Sequence, residues 1–156
     1  MSVWGRPVLL GVVNNLCPMP VLYSNIDPDT GVFSTDGENT HMATSYYIPV
    51  DYTANSQYTL SWNRSVMPSA TRIMVFAYNT NKEFLARSAG NSDNPRILSA
   101  SDFRLSPTSA TGDPAFLRVR VYNSTFSENR QNLVHLMLVP GGTAAAYRQR
   151  SIEYIS

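Results

Sequence analysis

Short runs of alternating apolar and polar residues, separated by turn-forming segments, run through most of the chain. In Gln57–Trp62 (QYTLSW) the alternation puts Tyr58, Leu60 and Trp62 on one face of a strand and Thr59 and Ser61 on the other. The reason is that successive side chains of extended backbone point to opposite sides. Phe116–Tyr122 (FLRVRVY) alternates again, with Leu117, Val119 and Val121 opposite Arg118, Arg120 and Tyr122. Thr71–Tyr78 (TRIMVFAY) is rich in β-formers, and Glu83–Arg87 (EFLAR) follows after Asn79-Thr80-Asn81-Lys82, which reads as a hairpin with a four-residue loop. Tyr46–Val50 and Arg96–Leu105 add further strands. Leu133–Val139 (LVHLMLV) reads as a central strand buried on both faces, and Ala146–Ile155 as a closing strand. No window of a dozen residues keeps apolar positions at i, i+3, i+4 and i+7 without Pro or Gly intervening, so no helix is expected. Seven or more short strands at these spacings predict an all-β chain folded as a β-sandwich or jelly roll. Residues 14–44 are less regular and are expected to wrap the sandwich edge. Residues 1–13 are expected to form a connector or edge segment, leaving 14–156 as a single domain.

Composition agrees with this class and excludes others. Charged residues make up 15% of the 156 and the formal net charge is +1, against about 25% charged in ordinary globular domains. Neutral polar side chains take their place: 18 Ser, 12 Thr and 13 Asn. A coiled coil needs about half Ala, Glu, Lys, Leu and Arg, and a chain disordered by charge needs far fewer aromatic and aliphatic residues. The balanced charge provides no global attraction to nucleic acid or to an anionic membrane. Lys82 is the only lysine, against eleven arginines. Arginine presents a planar fork that hydrogen-bonds and stacks, although the base composition of a gene also produces such a bias. Cys17 stands alone, which rules out an internal disulfide or a cysteine zinc cluster and reads as an inert buried thiol. The longest apolar stretch, Val8–Val13, is far below the ~20 residues that span a bilayer. It is also shorter than a secretory core segment, so no membrane insertion and no targeting signal are expected.

Catalytic chemistry finds little support. Glycoside cleavage needs two carboxylates facing each other across a cleft. Glu83 follows a hairpin loop, and Asp27, Asp29, Asp51, Asp93 and Asp113 lie in segments rich in Pro, Asn and Gly, where aspartate stabilises turns. No Gly-x-Ser-x-Gly elbow, phosphate-binding loop or paired-histidine metal motif is present. His135, within an apolar run, reads as a hydrogen-bonded core histidine. A non-enzyme is therefore expected, with no cofactor. Ile26-Asp27-Pro28-Asp29-Thr30-Gly31 offers two carboxylates that suit a structural calcium, and an Asx-type turn explains the segment equally well.

Four stretches together resemble a known family. Tyr47-Ile48-Pro49-Val50 followed by Tyr58-Thr59-Leu60-Ser61, the hairpin from Arg72 to Phe84, Leu117-Arg118-Val119-Arg120, and Leu133 to Tyr147 (LVHLMLVPGGTAAAY) occur in one order and spacing. They resemble the carbohydrate-binding-module-like, galactose-binding-like jelly rolls of bacteriophage tail and baseplate proteins, over about residues 14–150. The resemblance implies a non-catalytic domain on a virion that adheres to a cell-wall or surface polysaccharide of a bacterial host, alongside other phage tail proteins. The alternative is a structural virion module that makes protein–protein contacts or trimerises and binds no sugar.

Saccharide recognition needs an aromatic ring to stack on a pyranose and planar polar groups beside it. Arg118, Arg120 and Tyr122 share the face of their strand opposite the apolar residues, and are expected to form a solvent-facing platform with Arg72 from a neighbouring strand. Trp62 and Asn63 are expected at its rim. Substitutions on such a platform would leave stability nearly unchanged.

Overall fold

The computed structural model describes residues 15–35, 40–63, 65, 71–123 and 133–147. The connector expected at 1–13 lies outside them, as does most of the closing strand expected at 146–155. Every regular element among the described residues is a strand, apart from one 3-10 turn at Ala100–Asp102. In chain order the strands are β1 (Val21–Leu22), β2 (Asn25–Ile26), β3 (Phe33–Ser34), β4 (His41–Ala43), β5 (Ile48–Pro49) and β6 (Gln57–Ser61). They continue with β7 (Arg72–Tyr78), β8 (Phe84–Arg87), β9 (Arg96–Ser99), β10 (Phe116–Tyr122) and β11 (Met137–Pro140). The all-β expectation holds.

Antiparallel pairing gathers them into a large sheet ordered β1-β4-β10-β7-β8, with β5 also on β10, and a small sheet ordered β11-β6-β9. After β5 the chain passes from the large sheet to the small one at β6 and returns for the β7–β8 hairpin. It then visits β9, β10 and β11 in alternate sheets. The inner faces meet in one core: Ile73, Val75, Ala77, Leu117, Val119 and Val121 from the large sheet against Tyr58, Leu60, Trp62, Leu98 and Leu138 from the small one. Burying each such aliphatic side chain stabilises the fold by roughly 1.5–3 kcal/mol. The alternation of β10 is therefore in the expected register. Leu117, Val119 and Val121 pair across to Ala77, Val75 and Ile73 on the same side.

The third sheet is a hairpin, β2–β3. Its turn is locked locally: the Asp27 carbonyl accepts from the Gly31 amide at 2.8 Å, and the Asp27 amide donates to the Val32 carbonyl at 3.0 Å. The segment expected merely to wrap an edge thus supplies two strands of the large sheet, β1 and β4, and this separate hairpin. Elsewhere the hairpin expected between Thr71 and Arg87 is present. Asn79 closes its turn through its amide to the Glu83 carbonyl at 2.9 Å, and Lys82 adopts a left-handed φ of 62°.

The apolar run Leu133–Val139 meets expectation in part: Met137, Leu138 and Val139 are all buried, so the strand is covered on both faces. Only Met137–Pro140 is extended, because His135 takes a φ of 52° and turns the chain. Moreover β11 is the edge of its sheet rather than the centre. His135 is only half-buried and stacks on Tyr147, ring centroids 4.2 Å apart and nearly parallel at 8°. Cys17 is buried, as expected, with its thiol 3.4 Å from the Pro18 carbonyl.

Candidate functional site

The outer face of β10 carries Phe116, Arg118, Arg120 and Tyr122, opposite Tyr78, Phe76, Met74 and Arg72 of β7. Cross-strand partners share a face, so Arg72 does stand beside Tyr122, as the sequence predicted. The face is not the open platform expected, however, because β2–β3 folds over one end of it. Beneath the hairpin lies a second core of Ile26, Ala43, Phe76, Tyr78 and Phe84.

Arg118 is consequently a buried residue, 8% exposed. Its guanidinium lies 3.8 Å from the centre of the Tyr47 ring, and its Nη2 donates to the Ser45 carbonyl at 2.9 Å. Arg120 is half-buried and donates from Nη1 to the Ile26 carbonyl at 3.1 Å, with Asn25 Oδ1 at 3.4 Å. The Nε of each arginine is buried without a hydrogen-bond partner. Burial, reinforced by the neighbouring Arg87, lowers the pKa of Arg120 from its ordinary value. Arg87 Nε and the Tyr78 hydroxyl complete the attachment, donating to the carbonyls of Pro28 at 3.2 Å and Gly31 at 2.6 Å. Arg120 therefore ties down the hairpin, and Arg118 is buried against Tyr47 and Ser45 with the hairpin's Phe33 ring 5.6 Å from its guanidinium, so neither stands on an open platform. Apolar cover from a distant segment overrides the solvent-facing reading that alternation suggested.

No described residue packs over the other end of the face. Tyr122 is 40% exposed and Arg72 is exposed. His41 of β4 is the cross-strand partner of Tyr122 on the opposite side from Arg72, with the two rings tilted at 5.0 Å. Thus His41, Tyr122 and Arg72 form one row across three strands. Arg72 donates from Nη1 to the Gly90 carbonyl at 3.4 Å and makes no other interaction among the described residues, leaving most of its donors for a ligand. His41 Nδ1 lies 2.9 Å from Thr40 Oγ1. The sequence carried no signal for His41, since nothing local reveals which strand pairs with which.

Trp62 and Asn63 are not at a rim. Trp62 is 7% exposed and belongs to the inner core, as its shared parity with Tyr58 and Leu60 requires. Asn63 shapes a turn: its Oδ1 accepts from the Ser65 amide at 3.1 Å and the Ser65 hydroxyl at 2.7 Å.

The two other sequence-derived chemistries resolve into turns. Asp27 Oδ1 accepts from the amides of Asp29 and Thr30 at 2.8 and 3.0 Å, an Asx turn. Among the described residues no three or more His, Cys, Asp or Glu side chains gather to hold a metal. Treatment with a calcium chelator is accordingly expected to leave the thermal midpoint unchanged. A marked drop in that midpoint would place a structural ion in the fold. Asp51, Glu83 and Asp113 do line one cleft of about 570 Å³ between loops. Yet Asp51 Oδ1 caps Thr53 and Ala54 at 3.0 and 3.2 Å, and these bonds, led by that from the Thr53 hydroxyl, hold its carboxyl below the usual range. Glu83 Oε1 accepts from Asn79 Nδ2 at 2.8 Å. A glycosidase acid requires the opposite shift, toward a proton held near neutral pH.

No helix among the described residues is long and apolar enough to cross a membrane. No family model, curated protein or solved structure matches the chain.

Proposed function

We propose that this domain is a non-catalytic binding module for a bacterial cell-surface saccharide, folded as a galactose-binding-like jelly roll and carried on a phage tail or baseplate. The observation that carries the reading is the row His41–Tyr122–Arg72, where a half-exposed ring lies between an imidazole and a guanidinium with spare donors. A pyranose places its C–H face on the tyrosine and its hydroxyls on the Arg72 guanidinium.

The full chain and the variants Arg72→Ala and Tyr122→Ala, screened on an array of bacterial surface glycans, test this reading. Each variant is expected to lose about ten- to hundredfold in affinity, the worth of roughly 1.5–3 kcal/mol for a charged donor on a hydroxyl. Stability should move by no more than about 0.5 kcal/mol, as for other exposed positions. An array on which the parent chain binds nothing would refute the proposal.

The competing reading, a structural virion module, draws on one feature. Met19, Val21 and Tyr23 alternate along the edge that includes β1 and are all exposed. It predicts self-association in sedimentation together with a silent array.

A further inference from the structure

Arg96, 7% exposed, is the inner-face partner of Leu60 at the end of the small sheet and reaches across to the large one. Its Nη1 donates to the Ile73 carbonyl on β7 and its Nη2 to the Ala89 carbonyl, each at 2.6 Å. The connection between β8 and β9 runs past this strut and borders an open cleft of about 750 Å³. That volume lies in the range of small-molecule sites, roughly 300–1,000 Å³. The sequence reading placed nothing here.

Its walls are polar and held in place. Asn94 Nδ2 donates to the Trp62 carbonyl at 2.7 Å, and its Oδ1 accepts from the Trp62 amide at 3.2 Å. Asn91 is bridged to Ile73 through its backbone, and its Oδ1 accepts from the Asp93 amide at 3.1 Å. Asp102 Oδ2 accepts from the Ser99 amide at 2.6 Å. The Asp93 carboxylate and Asp102 Oδ1, both within electrostatic reach of Arg96, the Ser92 hydroxyl and Asn91 Nδ2 make no hydrogen bond among the described residues. Arg96 carries one positive charge against two carboxylates, so the lining is net negative.

We propose that this cleft is a second binding site, for the hydroxyl-rich ring of a neutral sugar. Carboxylates need donors and the Asn91 amide needs an acceptor; a sugar hydroxyl is both. An anionic ligand meets the surplus negative charge, and an apolar one leaves the lining groups without hydrogen bonds. The cleft shares no residue with the His41–Tyr122–Arg72 row, and its assignment stands independently of that row's function.

Titration of the full chain with glucose, galactose, N-acetylglucosamine and glucuronate, followed by amide chemical shifts, tests the site. Saturable shifts confined to residues 91–97 and 102 are expected with at least one neutral sugar, with glucuronate at least about tenfold weaker. Asp93→Asn should abolish the measurable shifts while leaving the spectrum folded, and Tyr122→Ala should leave them intact. The site is refuted if no neutral sugar shifts these amides, if glucuronate binds as well as the neutral sugars, or if Asp93→Asn binds as the parent does. Shifts produced by calcium or by a diamine in place of sugars would reassign the cleft to cations and overturn the proposal. Loss of glycan-array binding in Arg72→Ala alone bears only on the outer-face row.

Discussion

Gly31→Ala is expected to destabilise the domain by about 2–5 kcal/mol, the largest effect of any single substitution considered. Gly31 sits at φ 69°, and a Cβ there would lie 2.5–2.8 Å from Cγ, Cδ1 and Cβ of Phe84. Left-handed backbone costs a non-glycine residue about 1–2 kcal/mol, and forcing a carbon into a filled core costs about 1–3 kcal/mol more. Phe84 cannot swing clear, because it packs among Phe76, Tyr78 and Ile26. Relief must come from lifting β2–β3, which would break the bond from the Tyr78 hydroxyl to the Gly31 carbonyl. Gly141→Ala is the control: φ is 94° and no atom lies within 4 Å of the added carbon, so it measures backbone strain alone. Urea unfolding of both variants should therefore show the Gly31 substitution as the more damaging. Equal midpoints would mean that the hairpin does not rest on Phe84.

Arg118→Ala is expected to cost about 2 kcal/mol, and Arg120→Ala somewhat less. For Arg118 the losses are a desolvated cation–π contact with Tyr47, worth about 2 kcal/mol, and a charged hydrogen bond to Ser45, worth about 1.5–3 kcal/mol. Removing the unpartnered buried Nε returns about 1–3 kcal/mol of this. Arg118→Met, which keeps the apolar stem over Tyr47 and removes the donors, should fall between alanine and the parent. Val119→Ala, on the inner face of the same strand, should also destabilise, because Val119 is fully buried. Tyr122→Ala should not. Alternation alone predicts stable arginine variants and an unstable valine variant. The hairpin makes both faces of β10 matter at residues 118–120. Arg118→Ala unfolding at the parent's urea concentration would show that the contacts with Tyr47 and Ser45 add nothing to stability.

What the chain reveals by itself is parity. Alternation in Gln57–Trp62 and Phe116–Tyr122 assigns the side chains to the correct faces, Trp62 with Tyr58 and Leu60 although it was expected at a rim, because direction along extended backbone is a local property. The β7–β8 hairpin is equally legible, since Asn79 and Lys82 lie within the few residues that make the turn. Burial is different. Whether Arg118 and Arg120 meet water depends on a hairpin at residues 25–34, whose carbonyls and apolar side chains arrive from the far end of the chain. The same holds for His41 beside Tyr122, for Arg96 spanning two sheets, and for β11 lying at an edge. Strand partners are set by the packing of the whole molecule and leave no periodic trace. In Leu133–Val139 hydrophobicity was visible, but the left-handed turn at His135 was not, since composition records how apolar a segment is and not where its backbone bends. The tertiary structure alone decided which half of the outer face of β10 remains exposed to solvent.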